Sequence, residues 1–127
     1  NFYTMTISMD SNIGANRIFS RATGDRNFLL YDGRFYAGAF LSGGTIGTNQ
    51  INISILAEGS SSEIFKNGTS AASGNAGTDG IGSIRLMASK DANDWAAGKF
   101  QEFILWNTDD TNRTDIEDNI NTFYSIY

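Results

Sequence analysis

The 127-residue chain contains no cysteine, no histidine and no proline. Without cysteine there is no disulfide framework and no thiolate to serve as nucleophile or metal ligand, and either redox compartment is tolerated. Without histidine the commonest general base and the commonest zinc ligand are missing, so none of the many Ser and Thr hydroxyls can join a Ser-His-Asp triad. Without proline the loops must be shaped by Gly, Asn, Asp and Ser. Positive charge is scarce too: nine Lys and Arg face fourteen Asp and Glu, for a net charge of −5 and a pI near 4.4. Lys66, Lys90 and Lys99 lie far apart. Nucleic-acid backbones need clustered cations, so this balance argues against such a partner and reads as a solubility device. No stretch approaches the roughly 20 apolar residues of a membrane-spanning helix, and no secretory apolar region opens the chain, so membrane insertion is not expected.

What is present is β-like. A hydrophobic fraction of 40% and an aromatic fraction of 13% fit one globular domain over residues 1–127, large enough to bury a core without staples. The chain opens on Asn1 rather than Met, which suggests the C-terminal part of a longer protein. Phe2-Tyr-Thr-Met-Thr-Ile-Ser-Met9 sets Tyr3, Met5, Ile7 and Met9 against Phe2, Thr4, Thr6 and Ser8, the pattern of a half-buried strand. Further strands are expected at 17–21, 51–57 and 84–89, with loops at Gly43-Gly44 and Gly47 and through the glycine-rich stretch 74–82. That stretch is no phosphate cradle, since neither Lys-Ser/Thr nor a helix follows it. Two hairpins stand out. Asp32-Gly33 joins Asn27-Phe-Leu-Leu-Tyr31 to Arg34-Phe-Tyr-Ala37, and Asn67-Gly68 joins Glu63-Ile-Phe-Lys66 to Thr69-Ser-Ala-Ala72. Both dipeptides suit a type I′ turn, where two consecutive residues need positive φ.

The last thirty residues are the most distinctive. In Gly98-Lys-Phe-Gln-Glu-Phe-Ile-Leu-Trp-Asn107, strict alternation puts Phe100, Glu102, Ile104 and Trp106 on one face and Gln101, Phe103 and Leu105 on the other. Apolar side chains on both faces predict a central strand. Asn112 to Tyr127 then reads as a helix running to the end of the chain, with Ile116, Ile120, Phe123 and Tyr127 on one stripe. Asn112 is placed as N-cap, with Asp115 three residues on as a variant capping box, and Asp115, Glu117 and Asp118 near the positive end of the helix dipole. Asn119, Asn121 and Thr122 are poor helix formers, so packing must hold this helix. Short strands about every ten residues, glycine turns and one late helix predict an all-β antiparallel sandwich with a single short C-terminal helix.

The order of strand, Asn67-Gly68 hairpin, glycine-rich loop, Ile81-Gly-Ser-Ile-Arg-Leu86, then Gly98-Lys-Phe-Gln-Glu-Phe-Ile-Leu-Trp-Asn107 and a final helix resembles the concanavalin A-like lectin/glucanase jelly roll, and within it the laminin-G-like branch. The closing segment from Asn112 also resembles the C-termini of phage structural and tail-associated proteins and of some bacterial surface proteins. The likeness covers most of the chain and is most specific from about Glu63 onward. It departs at the start, where that family usually has one or two strands ahead of the segment matching Phe2–Met9. The resemblance implies a jelly-roll fold and a place on a virion, in the extracellular space or on a cell surface.

The family's hydrolases carry a cluster of the type Glu-x-Asp-x-x-Glu on a central strand. Here Glu102 is followed by Phe103, Ile104, Leu105 and Trp106, so the partner carboxylates needed for glycoside hydrolysis are missing and no catalytic residue is assigned. The foremost ligand-binding candidate is Asp91-Ala-Asn-Asp-Trp95. Asp91, Asn93 and Asp94 carry oxygens that bond sugar hydroxyls, and an exposed Trp95 indole could stack on a pyranose. The same oxygens raise calcium, but the spacing lacks the Gly and Glu of an EF-hand, and no cofactor or metal is assigned. The plainer alternative, which is preferred, is a polar turn with Trp95 tucked beneath the final strand. Tyr31, Arg34 and Tyr36 around the first hairpin are a further candidate glycan platform, with ordinary cross-strand pairs on a half-buried sheet the preferred reading. Asn52, Asn67 and Asn112 each head an Asn-x-Ser/Thr triplet, of consequence only in a eukaryotic secretory route.

Three functions follow in order. The first is a non-catalytic virion or surface interaction domain that binds glycan, for adhesion or host recognition. The second is a structural capsid-decoration, fibre or assembly module contacting other virion or surface subunits, or copies of itself; a Ser-, Thr-, Asn- and Gly-rich exterior suits such a setting. The third and least supported is a polysaccharide-degrading enzyme.

Overall fold

The alternating residues Phe2–Met9 form strand β1, and it lies inside a sheet rather than at its margin. The structure is a computed structural model that describes residues 2–10, 18–21, 30–31, 34–37, 41–77, 84–88, 95–106 and 111–127, with backbone alone at 20–21, 30–31 and 34–37. Nine further strands follow: β2 (Phe19–Arg21), β3 (Leu30–Tyr31), β4 (Arg34–Ala37), β5 (Leu41–Thr45), β6 (Ile51–Leu56), β7 (Ser62–Lys66), β8 (Thr69–Gly74), β9 (Ile84–Leu86) and β10 (Gly98–Trp106). A 3-10 turn at Gly59–Ser61 precedes β7, and helix α1 (Arg113–Tyr124) comes last. The described residues are thus mostly β with one C-terminal helix. All strand pairs are antiparallel: a five-stranded sheet in the order β10-β1-β6-β7-β8, a three-stranded β3-β4-β5 and a two-stranded β2-β9.

The core lies on one face of the five-stranded sheet. Tyr3, Met5, Ile7 and Met9 of β1 meet Ile51, Ile53 and Ile55 of β6 and Ile64 of β7, and Ile18, Phe19 and Ile46 pack against them from outside the sheet. β10 joins this core through an irregularity. Thr6 pairs with Glu102 but Ile7 pairs with Phe100, so Gln101 is an extra residue in the ladder. Such a bulge resets the alternation. Phe100 and Phe103 therefore both pack against the core, where strict alternation set them on opposite faces. Gly98 begins the strand because a Cβ there would lie 2.4 Å from Ser8 O.

The opposite face of the sheet carries polar side chains and is buried as well. Expected half-buried, β1 instead has Thr4 and Thr6 as fully enclosed as its apolar residues, beside Asn52 and Ser54 of β6. They tolerate burial because they bond one another. Asn52 Nδ2 donates to Thr4 Oγ1 at 2.9 Å, Ser54 Oγ donates to Thr4 Oγ1 at 2.9 Å, and Thr4 Oγ1 donates to Ile53 O at 3.2 Å. Helix α1 packs against β6 over this face.

The helix differs from its sequence expectation in three ways. The buried stripe is Glu117 and Ile120, both 2% exposed, whereas Phe123 stands 79% exposed in an edge-to-face contact with Tyr124. Glu117 faces inward to reach the polar sheet face and pairs with Arg113, whose guanidinium lies 3.7 Å above the Phe65 ring of β7. At the N-terminus, Asn112 holds the cap position but its side chain makes no capping bond, so the capping box does not form. The helix also stops short of the chain end. Ser125 turns left-handed at φ 53°, its N–H donates to Asn121 O, and Asn121 Oδ1 accepts from the N–H groups of Ile126 and Tyr127 at 2.9 Å each. Tyr127 is thereby taken off the helical stripe and laid over the β7–β8 turn.

That turn is as the sequence predicts: Asn67 at φ 51° and Gly68 at φ 75° are the two positive-φ residues of a type I′ hairpin. Leu30↔Phe35 and Tyr31↔Arg34 likewise flank Asp32-Gly33, which lies outside the described residues. Gly43 and Gly44, expected in a loop, belong to β5, while Gly47 at φ 77° does turn the chain. β9 ends at Leu86 rather than Ser89, because Met87 adopts φ 59°. β8 continues to Gly74, two residues beyond its expected end. β10, expected to be central, is the edge strand of its sheet among the described residues, paired there with β1 alone.

Candidate functional site

The register collects several chain turns at one end of the five-stranded sheet. Met9 sits opposite Gly98, Ile7 opposite Ile51, and Ile53 opposite Lys66, so β1 and β7 end where β6 and β10 begin. The approach to β10 and the connection from β5 to β6 therefore share this end with the Asn67-Gly68 turn. β10 and β7 are three strand spacings apart, about 14 Å.

On the β10 side stands Trp95. Its neighbours are pinned: Ala96 N donates to Met87 O at 3.1 Å, Met87 N to Ile18 O at 2.7 Å, and Asp10 N to Ala97 O at 3.0 Å. Ala96 packs on the core. The indole does not follow it inward and is 64% exposed, which corrects the preferred expectation that it tucks under the final strand. Met87, Phe100 and Phe103 pack against the core in its place. Asp91, Asn93 and Asp94, the remaining members of the predicted loop, lie outside the described residues. For Tyr31 and Tyr36 the backbone alone is described, on β3 and β4, with Tyr31 opposite Arg34 and Tyr36 opposite Ser42.

On the β7 side is an open-sided cavity of about 380 Å³, bordered by the turn from Thr45 to Ile51, by Lys66 and Asn67, and by Ile126 of the tail. Sequence reasoning missed it because its walls come from three segments distant along the chain. The one local signal was the Gly47 turn beside two consecutive amides, Asn49 and Gln50. Asn67 is fixed in this wall by reciprocal bonds with Asn52: Asn52 N donates to Asn67 Oδ1 at 3.0 Å and Asn67 N donates to Asn52 O at 2.9 Å.

Two other candidates take structural positions. Glu102 lies on the edge strand opposite Thr6. Asn52, first of the Asn-x-Ser/Thr triplets, is fully buried and cannot accept a glycan in the folded state. Among the described residues no group of three or more acidic side chains converges in a way that could hold a metal ion. No described helix is long and apolar enough to cross a membrane.

Glu117, on the sheet-facing side of the helix, has a displaced titration. Burial raises its carboxyl above the usual range, against the lowering pull of Ser54 and Arg113. Ser54 has one hydroxyl proton, shared with Thr4 Oγ1 and with Asn52 Oδ1 at 3.3 Å, and Glu117 Oε1 is left without a hydrogen bond. The site is sealed by α1, so this carboxylate belongs to the packing of the helix and not to a surface accessible to ligand.

No family model, no curated protein and no solved structure matches this chain.

Proposed function

We propose that the chain is a non-catalytic recognition domain of the concanavalin A-like jelly-roll kind, carried on a virion or cell surface, that binds glycan through the Trp95 loop. The observation that carries this is the exposure of Trp95 on a backbone pinned immediately after it, at Ala96 and Ala97. Leaving a large aromatic side chain in water forgoes about 2–3 kcal/mol of burial. A rigidly presented indole gives a flat apolar face at little further loss of conformational freedom, the form of surface on which a pyranose stacks. The antiparallel sheet with its core on one face, and the closing β10–α1 unit, are consistent with that family. Against an enzyme reading, Glu102 lacks the second carboxylate the chemistry needs.

A glycan array tests this directly. Wild type is expected to retain a defined set of glycans, and Trp95→Ala to lose them about tenfold or more while melting within a degree or two of wild type. An array with no binders, or binders indifferent to the substitution, defeats the reading.

An assembly role is favoured by a different observation. Phe123 is the most exposed of the large hydrophobic residues described, and among the described residues no strand pairs with the outer edge of β10. A defined oligomer in light scattering that dissociates in Phe123→Ser would favour that second reading.

A further inference from the structure

The cavity on the β7 side has a chemistry of its own. Among the described residues no Asp or Glu borders it, and Lys66 supplies the one positive charge among those that line it. Lys66 Nζ donates to Thr45 O at 2.9 Å, which holds the ammonium at the wall and leaves two N–H groups for a ligand. Gln50 lines the same wall, and its Nε2 is buried without a hydrogen-bond partner. A buried donor without an acceptor is a standing cost that a ligand oxygen would remove. The terminal torsion of a glutamine is broad, so this amide can turn toward the cavity without leaving a rotamer well. Ile46 and Ile51 are buried beside these donors and Ile126 closes the tail side, giving apolar surface next to the polar wall.

A charged donor, a second donor with no partner and an apolar floor suit a ring bearing a carboxylate. The volume of about 380 Å³ is near the small end of ligand sites, which suits one ring and not an extended chain. We propose that this cavity takes a hexuronic acid unit, with Lys66 pairing with its carboxylate, Gln50 donating a further hydrogen bond and the three isoleucines receiving the ring. The assignment rests on the glycan reading above and gives it a chemical class: the recognised glycan is acidic, with its charged unit held on the β7 side of the sheet end that carries Trp95 on its β10 side.

The test titrates the full 15N-labelled chain with glucuronate, glucose and acetate, following backbone amide shifts. Glucuronate is expected to move the amides of residues 45–51 and 66–67, with glucose and acetate each about tenfold weaker there, the size of one charge-assisted contact. Lys66→Gln should weaken glucuronate about tenfold. Gln50→Glu, which sets a like charge beside the ligand, should weaken glucuronate and spare glucose. Melting curves of both variants verify that they are folded. Equal affinity for glucose and glucuronate, or wild-type affinity in Lys66→Gln, overturns the carboxylate assignment; glycans still retained on the array through Trp95 would then leave the recognition reading standing without it. Acetate binding as tightly as glucuronate overturns the ring assignment and leaves a simple anion site. No shift of these amides with any of the three overturns the inference whatever the array shows.

Discussion

Asn52 sits at the centre of a β-sheet with no exposure to solvent, a position where an unbonded amide would cost about 1–3 kcal/mol. It escapes that cost by bonding in both directions. Its side chain donates to Thr4 on β1, and its backbone exchanges two bonds with Asn67 at the hairpin turn. Glu117 is less well served. Because its carboxyl is raised by burial, the folded protein takes up that proton at a higher pH than the unfolded chain does. Its contribution to stability is therefore full below the unfolded value of about 4.5 and is lost as pH rises through the raised value. Glu117→Gln cannot ionise and should gain stability relative to wild type over that window. Urea unfolding of both proteins between pH 4 and 7, on the order of half-unit steps, reads this as a difference that grows with pH. A constant difference would show that Glu117 does not titrate across it.

At the scale of elements, α1 is a cover for the polar face of the sheet. Ile120→Ala, at a position 2% exposed, is expected to cost about 3 kcal/mol. Truncation after Asn107 removes the whole cover, opens Thr4, Asn52 and Ser54 to water, and should abolish cooperative melting. A truncated chain that melts like the intact one would show the helix to be an appendage. Elements whose cause is local were legible in the sequence: the β1 alternation, both Asx-Gly hairpins, and the existence of a late helix. Their surroundings were not. Thr4 and Thr6 look solvent-facing until α1 is placed on them, and the Gln101 bulge leaves no mark in the pattern but moves Phe100 to the core. The edge position of β10 depends on which strand lies beyond it, and alternation carries no such information. The same holds for the candidate sites. Trp95 could be named from sequence as a stacking residue but its exposure could not be decided. The cavity at Gln50 and Lys66 exists only once the tail, the β5–β6 turn and the β7–β8 hairpin have met.

For the molecule as a whole, the order β10-β1-β6 joins residues about a hundred positions apart, with Phe2 opposite Trp106. Sheets built from such distant pairings fold slowly, on the scale of milliseconds to seconds, because the loop must close before the ladder forms. Proline isomerisation would add phases of tens of seconds, but this chain has no proline. Stopped-flow refolding from urea is expected to finish without any such slow phase. A phase with the activation energy of isomerisation, about 20 kcal/mol, would contradict this.

The pairing of Phe2 with Trp106 also decides how the fold answers a pull. Tension applied between the two ends first draws off α1, and then reaches β1 and β10 from the same end of their shared ladder. Bonds that run perpendicular to the strands are then opened one after another and not all together. Under such a load the fold peels at β1 and β10, while the β6–β7–β8 hairpins that frame the cavity are loaded only after β1 has gone.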